Sequence, residues 1–422
     1  MTLPPEHGLR AELNFEVHAR PPDSLAAPAR VSYMAMLRGN EPRGAALAAM
    51  RILALRFGVT PPGEGASHWS ADLGAFRVRW EQHTEFHRVM FIREGVSAKP
   101  FSDPAIDVVP GDWVAALPGE LLVAADLEMN FEAEETMAQE IFSGSQMVGS
   151  VIGGRAMAFT DFRISGDGFS RFLIVAGSMT PMLAGRNVQR LLEMDTYRMM
   201  ALLALPVARA LSPLLTKWEL ELAEVAEVLT HGEQEDEPVL LNRLTDLASE
   251  IESREATTRY RFSAAAAYYS LVQRRIAELR EERMEGLQTF QEFTERRLAP
   301  AMDTCQSTVA RQEALSRRVA RVTQLLQTRV EITREEQNRE VLGSMNRRAK
   351  QQLRLQQTVE GLSTAAITYY IVGLFGYAAK AVGPGVGVDP DYLTAAAIPL
   401  AALFVAWGLR QARRRLDLKD DD

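Results

Sequence analysis

The sequence predicts an α+β (α/β-like) cytoplasmic domain, followed by a long helical and coiled-coil region and two C-terminal transmembrane helices. Three observations lead there. Helix-like and strand-like patterns interleave over residues 1–180, the pattern from Pro181 onward is helical, and two charge-free runs, Gly361–Ala379 and Tyr392–Leu409, close the chain. Interleaved periods of 3.6 and 2 mark a mixed domain. The implied divisions are a domain over 1–180, a helical region over 181–300, a stalk helix over 301–361, spans over 362–379 and 392–409, and a basic and acidic tail over 410–422.

In chain order, "RVSYMAML" reads as a strand and "GAALAAMRILALRFGV" as a helix closed by Gly58. "ADLGAFRVRWEQHTEFHRVMFI" alternates apolar and polar residues around a turn at Gly74, as half-buried strands do. "DWVAALPGELLVAADLEM" predicts a short helix, a turn at Pro118-Gly119 and a strand, and the glycine-rich stretch from Ser145 a hairpin turning at Gly166-Asp167-Gly168. Beyond Pro181 no further strand is expected, and breaks are expected near Pro206 and Pro213. From Ala301 to Glu360 there is no proline and a single glycine, Gly343, while Leu315, Val319, Val322 and Leu326 are spaced as in a coiled-coil seam. Continuous helix over that segment would run about 90 Å at about 1.5 Å per residue.

Composition narrows the function. With 422 residues, 47% hydrophobic, the chain has ample core, and a net charge of −8 gives a nucleic-acid partner no global support. The single cysteine, Cys305, excludes an intramolecular disulfide framework and suits a reducing compartment. "MTLPPEHGLRAELNFEVHARPP" lacks an apolar core segment, so no cleavable signal peptide is expected.

Each charge-free run matches the roughly 17–25 residues a helix needs to cross a bilayer. Arg347, Arg348, Lys350 and Arg354 precede the first, Arg410, Arg413, Arg414, Arg415 and Lys419 follow the second, and the linker holds Lys380, Asp389 and Asp391. Basic flanks stay in the cytoplasm. The expectation is a multi-pass protein of the inner (cytoplasmic) membrane with both termini cytoplasmic, its flanking arginines and Lys350 on anionic lipid headgroups. In the first span Ser363, Ala366, Tyr370, Gly373 and Tyr377 share a stripe, which lines a pore or packs a helix partner. Either use implies a homo-oligomer.

Chemistry has three candidates. In "RWEQHTEFH", Glu81, His83, Glu85 and His87 are two apart and on one strand would share a face, as a divalent-cation or acid/base set or as a solvated polar edge. In "ELNFEVHARPP", His18 and Arg20 stand before a rigid Pro-Pro exit and pin the segment or grip an anion. Asp161 and Arg163 are two apart on a strand and suit an ion pair. The glycines from Gly149 to Gly168 match no phosphate-loop or dinucleotide pattern, and no nucleophile–base order is visible. Enzyme activity is left open.

"EVHARP", "RWEQHTEF" and "TDFRISGDGF", in this order ahead of two C-terminal spans, resemble an uncharacterised bacterial family, a domain of unknown function. The layout also resembles CorA-type magnesium transporters, with a cytoplasmic domain, a long helix entering the first of two spans and a basic tail. That resemblance implies an oligomer around the first span, although their Gly-Met-Asn motif is replaced here by "FGYAAKAVG". Two functions follow as expectations. One is an oligomeric membrane protein passing a cation or small solute, and the other a membrane-tethered scaffold or sensor without a pore.

Overall fold

The computed structural model describes residues 4, 6–11, 13–14, 23–131, 135–144, 146–231, 237–382 and 389–417. The chain divides into two compact units, Met1–Thr323 and Gln324–Asp422. The helices from Pro181 to Thr323 therefore belong with the sheet that precedes them.

Among the described residues of the first unit, nine strands form one sheet. They are β1 (Ala29–Leu37), β2 (His68–Asp72), β3 (Arg77–Gln82), β4 (Phe86–Glu94), β5 (Glu120–Asn130), β6 (Val148–Ile152), β7 (Ala156–Ile164), β8 (Ser170–Val175) and β9 (Glu281–Arg283). Their order is β2-β3-β4-β1-β5-β8-β7-β6-β9. Neighbours are antiparallel except β5 and β8, which run parallel. The β1 strand is buried almost throughout because both faces are covered. Met34 and Met36 point to α1 (Ala45–Arg56), joining Met50, Leu53, Trp80 and Phe91 in the main core. A short helix, α2 (Gly111–Ala115), adds Trp113, whose Nε1 donates to the Ala49 carbonyl at 2.9 Å. The buried positions of α1 recur one turn apart, as a one-faced helix requires, and Gly58 leaves it with φ +66°, a conformation that favours glycine. Beyond β5, α3 (Glu135–Ile141) covers a smaller core around Phe142, Phe159 and Leu173.

On the opposite face, Tyr33 hydrogen-bonds Thr196 at 2.7 Å across to α4 (Pro181–Leu202), which starts with Thr180 as N-cap and Pro181 in the first turn. Among the described residues four helices follow before residue 383: α5 (Ala204–His231), α6 (Glu237–Leu279), α7 (Phe290–Arg297) and the long α8 (Ala299–Val382). The expected break near Pro206 falls at Leu203, which places that proline in the first turn of α5, where its missing N–H is harmless. Pro213 lies inside α5 without ending it. Ala204, Ala208, Leu211, Leu215, Trp218 and Leu222 alternate by three and four and are buried along one stripe. Arg311 on α8 chelates Glu219 on α5 at 2.7 and 2.6 Å. Of the expected coiled-coil positions, Leu315, Val319 and Leu326 are buried and Val322 is half-buried. The helix is unbroken from Ala299 to Val382, as the missing prolines predict.

One strand was not expected. The β9 strand interrupts the helical half and pairs Glu281–Arg283 with β6, covering that sheet edge.

In the second unit, α8 is followed by α9 (Pro390–Asp417), with Pro399 inside it. A Cβ added at Gly376 would meet Thr394 Cγ2 at 3.4 Å, so small residues set the close approach of the two helices. Thr364, Thr368, Val372 and Gly376 on α8, and Thr394, Ala397 and Ala401 on α9, are half-buried along this contact.

Candidate functional site

Alternation places Arg79 and Glu81 of β3 beneath α4, while Val78 and Trp80 enter the opposite core. Register sets Glu81 opposite Arg88 of β4. Arg88 donates to Glu81 at 2.6 Å and to Glu193 of α4 at 2.9 Å. Arg275 of α6 reaches Glu193 at 2.5 Å and Glu278 at 2.9 Å. At the other end Arg79 holds Glu81 at 2.7 Å and Asp23 at 3.1 Å. Charges alternate along the whole chain of contacts. Arg88, Glu81 and Glu193 are only 8%, 2% and 3% exposed, so each charge must be paired to be tolerated. Burial pushes the Glu81 carboxyl up, but Arg88 and Arg79 outweigh it and hold it at about 2. Glu193 is likewise lowered, with Arg88 and Arg275 overcoming burial. A carboxylate so strongly paired is a poor base at neutral pH. A cavity of about 20 Å³ beside Tyr33, Arg79, Glu81 and Gln189 has room for one water. This arrangement clamps β3, β4, α4 and α6 together.

The quartet expected on one strand does not form. The β3 strand ends at Gln82, and His83 N donates to Phe86 O at 2.8 Å, closing a tight turn before β4 begins at Phe86. The turn breaks the period of two, and the four side chains do not converge on one point, although His83 Nε2 stays 3.8 Å from Glu81 Oε2. Glu81 enters the ionic chain, and His83 stacks on Phe86 with centroids 4.4 Å apart. Glu85 pairs with Arg261 and accepts from Tyr268 Oη at 2.9 Å. His87 is buried on the other face with Nε2 donating to the Pro118 carbonyl at 2.8 Å, and burial lowers its pKa. Among the described residues no three His, Cys, Asp or Glu side chains are grouped to hold a metal ion.

His18 and Arg20 lie outside the described residues. Asp161 and Arg163 do not alternate regularly, because the β7–β8 register shifts between Thr160 and Ile164. Asp161 Oδ1 accepts the Arg163 backbone N–H at 3.0 Å, and Thr160 Oγ1 accepts that of Phe162 at 3.2 Å. Between them Phe162 takes φ +54°, stacks on Phe293 at 4.6 Å and carries the Arg198 guanidinium 4.9 Å from its centroid. The motif builds a bulge that aims one aromatic ring at α7 and α4.

Two features escaped the sequence reading. Asp126, on β5, accepts from Ser32 Oγ at 2.5 Å, and burial pushes its carboxyl up to about 6 against that hydrogen bond. Its unfolded value is 3.8, so the folded state takes up the proton first as pH falls. Stability should therefore rise by about 2–3 kcal/mol between pH 7 and pH 4 from this group. Glu81 acts with the opposite sign, below its unfolded value of 4.5 and down to about 2. Asp126→Asn should flatten the rise without touching the acid limb. Urea titrations of residues 1–323 across that range read it directly, and an unchanged slope would refute the assignment.

The second is a groove of about 440 Å³ between α6 and α8. Phe262, Ala265, Met302, Cys305 and Val309 line it, with Arg259, Asp303 and Glu313 among its polar residues. Its size and mixed lining suit a small amphipathic ligand. The run Ala264–Ala267 was the available signal, because such small side chains leave room between helices.

Residues 5–416 match a family described as "Protein of unknown function (DUF3422)". The chain belongs to that family. No curated protein and no solved structure matches, so the resemblance to CorA-type transporters rests on element order alone.

Among the described residues of this DUF3422 chain, three helical stretches are long and apolar enough to cross a membrane: Pro181–Thr230, Phe290–Lys380 and Asp391–Gln411. Burial separates them. The most apolar window of the first is 33% buried, against 0% and 6% for the others. Its apolar face is already used by the sheet unit, whereas the last two present theirs outward. Tyr370 and Tyr377 of the expected stripe are 70% and 79% exposed, and nothing lies within 4 Å of a Cβ added at Gly373. Arg347, Arg348, Lys350, Arg354 and Arg410 are exposed as headgroup contacts would need, and the side chains of Arg413, Arg414 and Arg415 fall outside the described ones.

Proposed function

We propose that this chain is a membrane-tethered scaffold or sensor. The α8–α9 hairpin spans the inner membrane, both termini are cytoplasmic, and the sheet unit binds a small amphipathic ligand in the α6–α8 groove. One observation carries the tether: the apolar windows of α8 and α9 are 0% and 6% buried within the chain. Leaving that much apolar helix in water is unfavourable by roughly 25 cal/mol per Å². The saturated ionic chain, with every carboxylate held by arginine, favours binding over catalysis.

A second reading is passage of a cation or small solute along Ser363, Ala366, Tyr370, Gly373 and Tyr377. It is supported by the exposure of that stripe on the side of α8 turned away from α9. Cation flux into vesicles holding the purified chain would favour it.

The tether predicts that the full chain stays in carbonate-washed membranes, while a chain ending at Glu360 moves to the supernatant. A reporter fused after Asp422 should read cytoplasmic and one inserted at Gly385 external, from the basic flanks and nearly neutral linker. A full-length chain in the supernatant, or an external C-terminus, would sink the proposal.

A further inference from the structure

We propose that α8 pairs in parallel, and in register, with α8 of a second copy of this chain along one heptad seam that runs from Leu342 to Tyr377. This inference rests on the membrane tether. Stepping by three and four from Leu342 passes Met345, Ala349, Gln352, Gln356 and Val359 and arrives at Ser363. The same stride, without a skip, then passes Ala366, Tyr370 and Gly373 to Tyr377. The seam of the charged segment and the stripe of the span are one line, with the 3.5-residue period of a supercoiled pair.

No seam position carries a charge, although Arg347, Lys350 and Arg354 fall at outward positions of the same heptads. The chain leaves the seam uncovered. Leu342, Met345 and Val359 are 64%, 60% and 54% exposed. In the span, α9 takes the other side, since Thr364, Thr368, Val372 and Gly376 are half-buried. Thr364, Thr368 and Val372 lie two positions from seam members, about 160° around the helix at 3.6 residues per turn, and Gly376 lies one from Tyr377, about 100° around.

A second copy fits for three reasons. A partner must be a helix that is water-compatible first and lipid-compatible afterwards at the same height, which an identical helix running the same way satisfies. An antiparallel copy would set Tyr377 against Leu342 and send its span away from the shared membrane. Charge is also compatible, because parallel pairing sets flanking Leu355 against Glu360 of the partner subunit and Arg348 against Leu353 of the partner subunit, so no like charges meet. In register, each Gln352 and each Gln356 faces its own counterpart, and an amide can both donate and accept. A polar layer of this kind fixes register. Finally, the seam is about 54 Å long, and a strip one helix diameter wide buries roughly 1,000 Å² over both copies, the scale of a specific interface.

The test is disulfide trapping of the full chain in its membranes. Met345→Cys and Val359→Cys sit on the seam, while Gln351→Cys and Thr358→Cys sit on the outward face of the same exposed helix. Cys305 is buried and common to all four. Covalent dimers from both seam variants and not from the outward pair are expected. Membrane-bound chains that give no seam dimers would overturn the pairing and leave the tether standing. Equal dimer from all four variants would mean random collision and also overturn it. Seam dimers from chains that no longer sediment with membranes would uphold the pairing and remove the tether.

Discussion

Arg88→Ala should destabilise the sheet unit by about 3–5 kcal/mol, the range for breaking a buried ion pair by removing one partner. Arg88 is the middle of the alternating chain, and it donates to both Glu81 and Glu193. Each carboxylate would keep one arginine, Arg79 at 2.7 Å and Arg275 at 2.5 Å. Both acids would nevertheless remain buried with half their compensation gone. Guanidinium denaturation of residues 1–323 gives the free energy, and a loss below about 1 kcal/mol would show that the ion chain is solvated rather than buried. Acid unfolding supplies a second readout. Glu81 is depressed in the folded state to about 2 from 4.5, so its stabilisation is complete above the unfolded value and lost as pH falls toward 2. Arg88 is the larger of the two attractions that hold it down. Without it the Glu81 carboxyl rises, and that contribution shrinks. The double variant Glu81→Ala/Arg88→Ala should cost less than the sum of the single changes, because the second removal takes away a charge the first had stranded.

Local patterns recovered most elements and missed what depends on distant partners. The α1 helix, β1, the Pro118-Gly119 turn and β5 follow from periodicity and turn residues within a few positions of each other. The turn after Gln82 was missed because "QHTEF" holds no glycine, proline or asparagine to flag it. Alternation was then carried through a place where the chain reverses, and it gathered four side chains of which the fold keeps only Glu81 and His83 near one another. The bulge at Phe162 was hidden for the same reason, since a phenylalanine with positive φ is held there by Thr160 and Asp161 rather than announced by glycine. Three charged residues, "EER", do not read as a strand, and β9 forms because β6 offers an open edge. The ionic chain lay beyond any local reading, because Glu193 and Arg275 reach β3 and β4 only once α4 and α6 have packed. The two apolar helices are the opposite case. Their uncharged length is a property of composition, and it was readable before any fold was known.

Gly185→Ala should destabilise the same unit by about 3 kcal/mol, the upper end for forcing an extra carbon into a packed site. In an ordinary helix this exchange stabilises by up to about 1 kcal/mol, because alanine loses less backbone entropy. Gly185 lies in the second turn of α4, and a Cβ there would stand 1.7 Å from the Asp23 carbonyl oxygen and 2.8 Å from its carbon. Those are backbone atoms, so no rotamer change relieves the contact. The segment is fixed close by, with Leu25 N donating to the Pro181 carbonyl at 3.0 Å and the Leu25 side chain 1% exposed. Pushing it away would uncover Leu25 and withdraw Asp23 from Arg79, opening the end of the ionic chain beneath α4. Gly111→Ala is the matched control in the same unit, since Gly111 is exposed at the start of α2 and nothing lies within 4 Å of an added Cβ. There the helix-propensity gain should stand alone, leaving stability unchanged or slightly raised. Denaturation midpoints of the two variants therefore move in opposite directions if the close approach of Asp23 is real. Equal, slightly stabilising shifts would mean that residues 23–25 do not rest on α4, and the ionic chain would then end at Arg79.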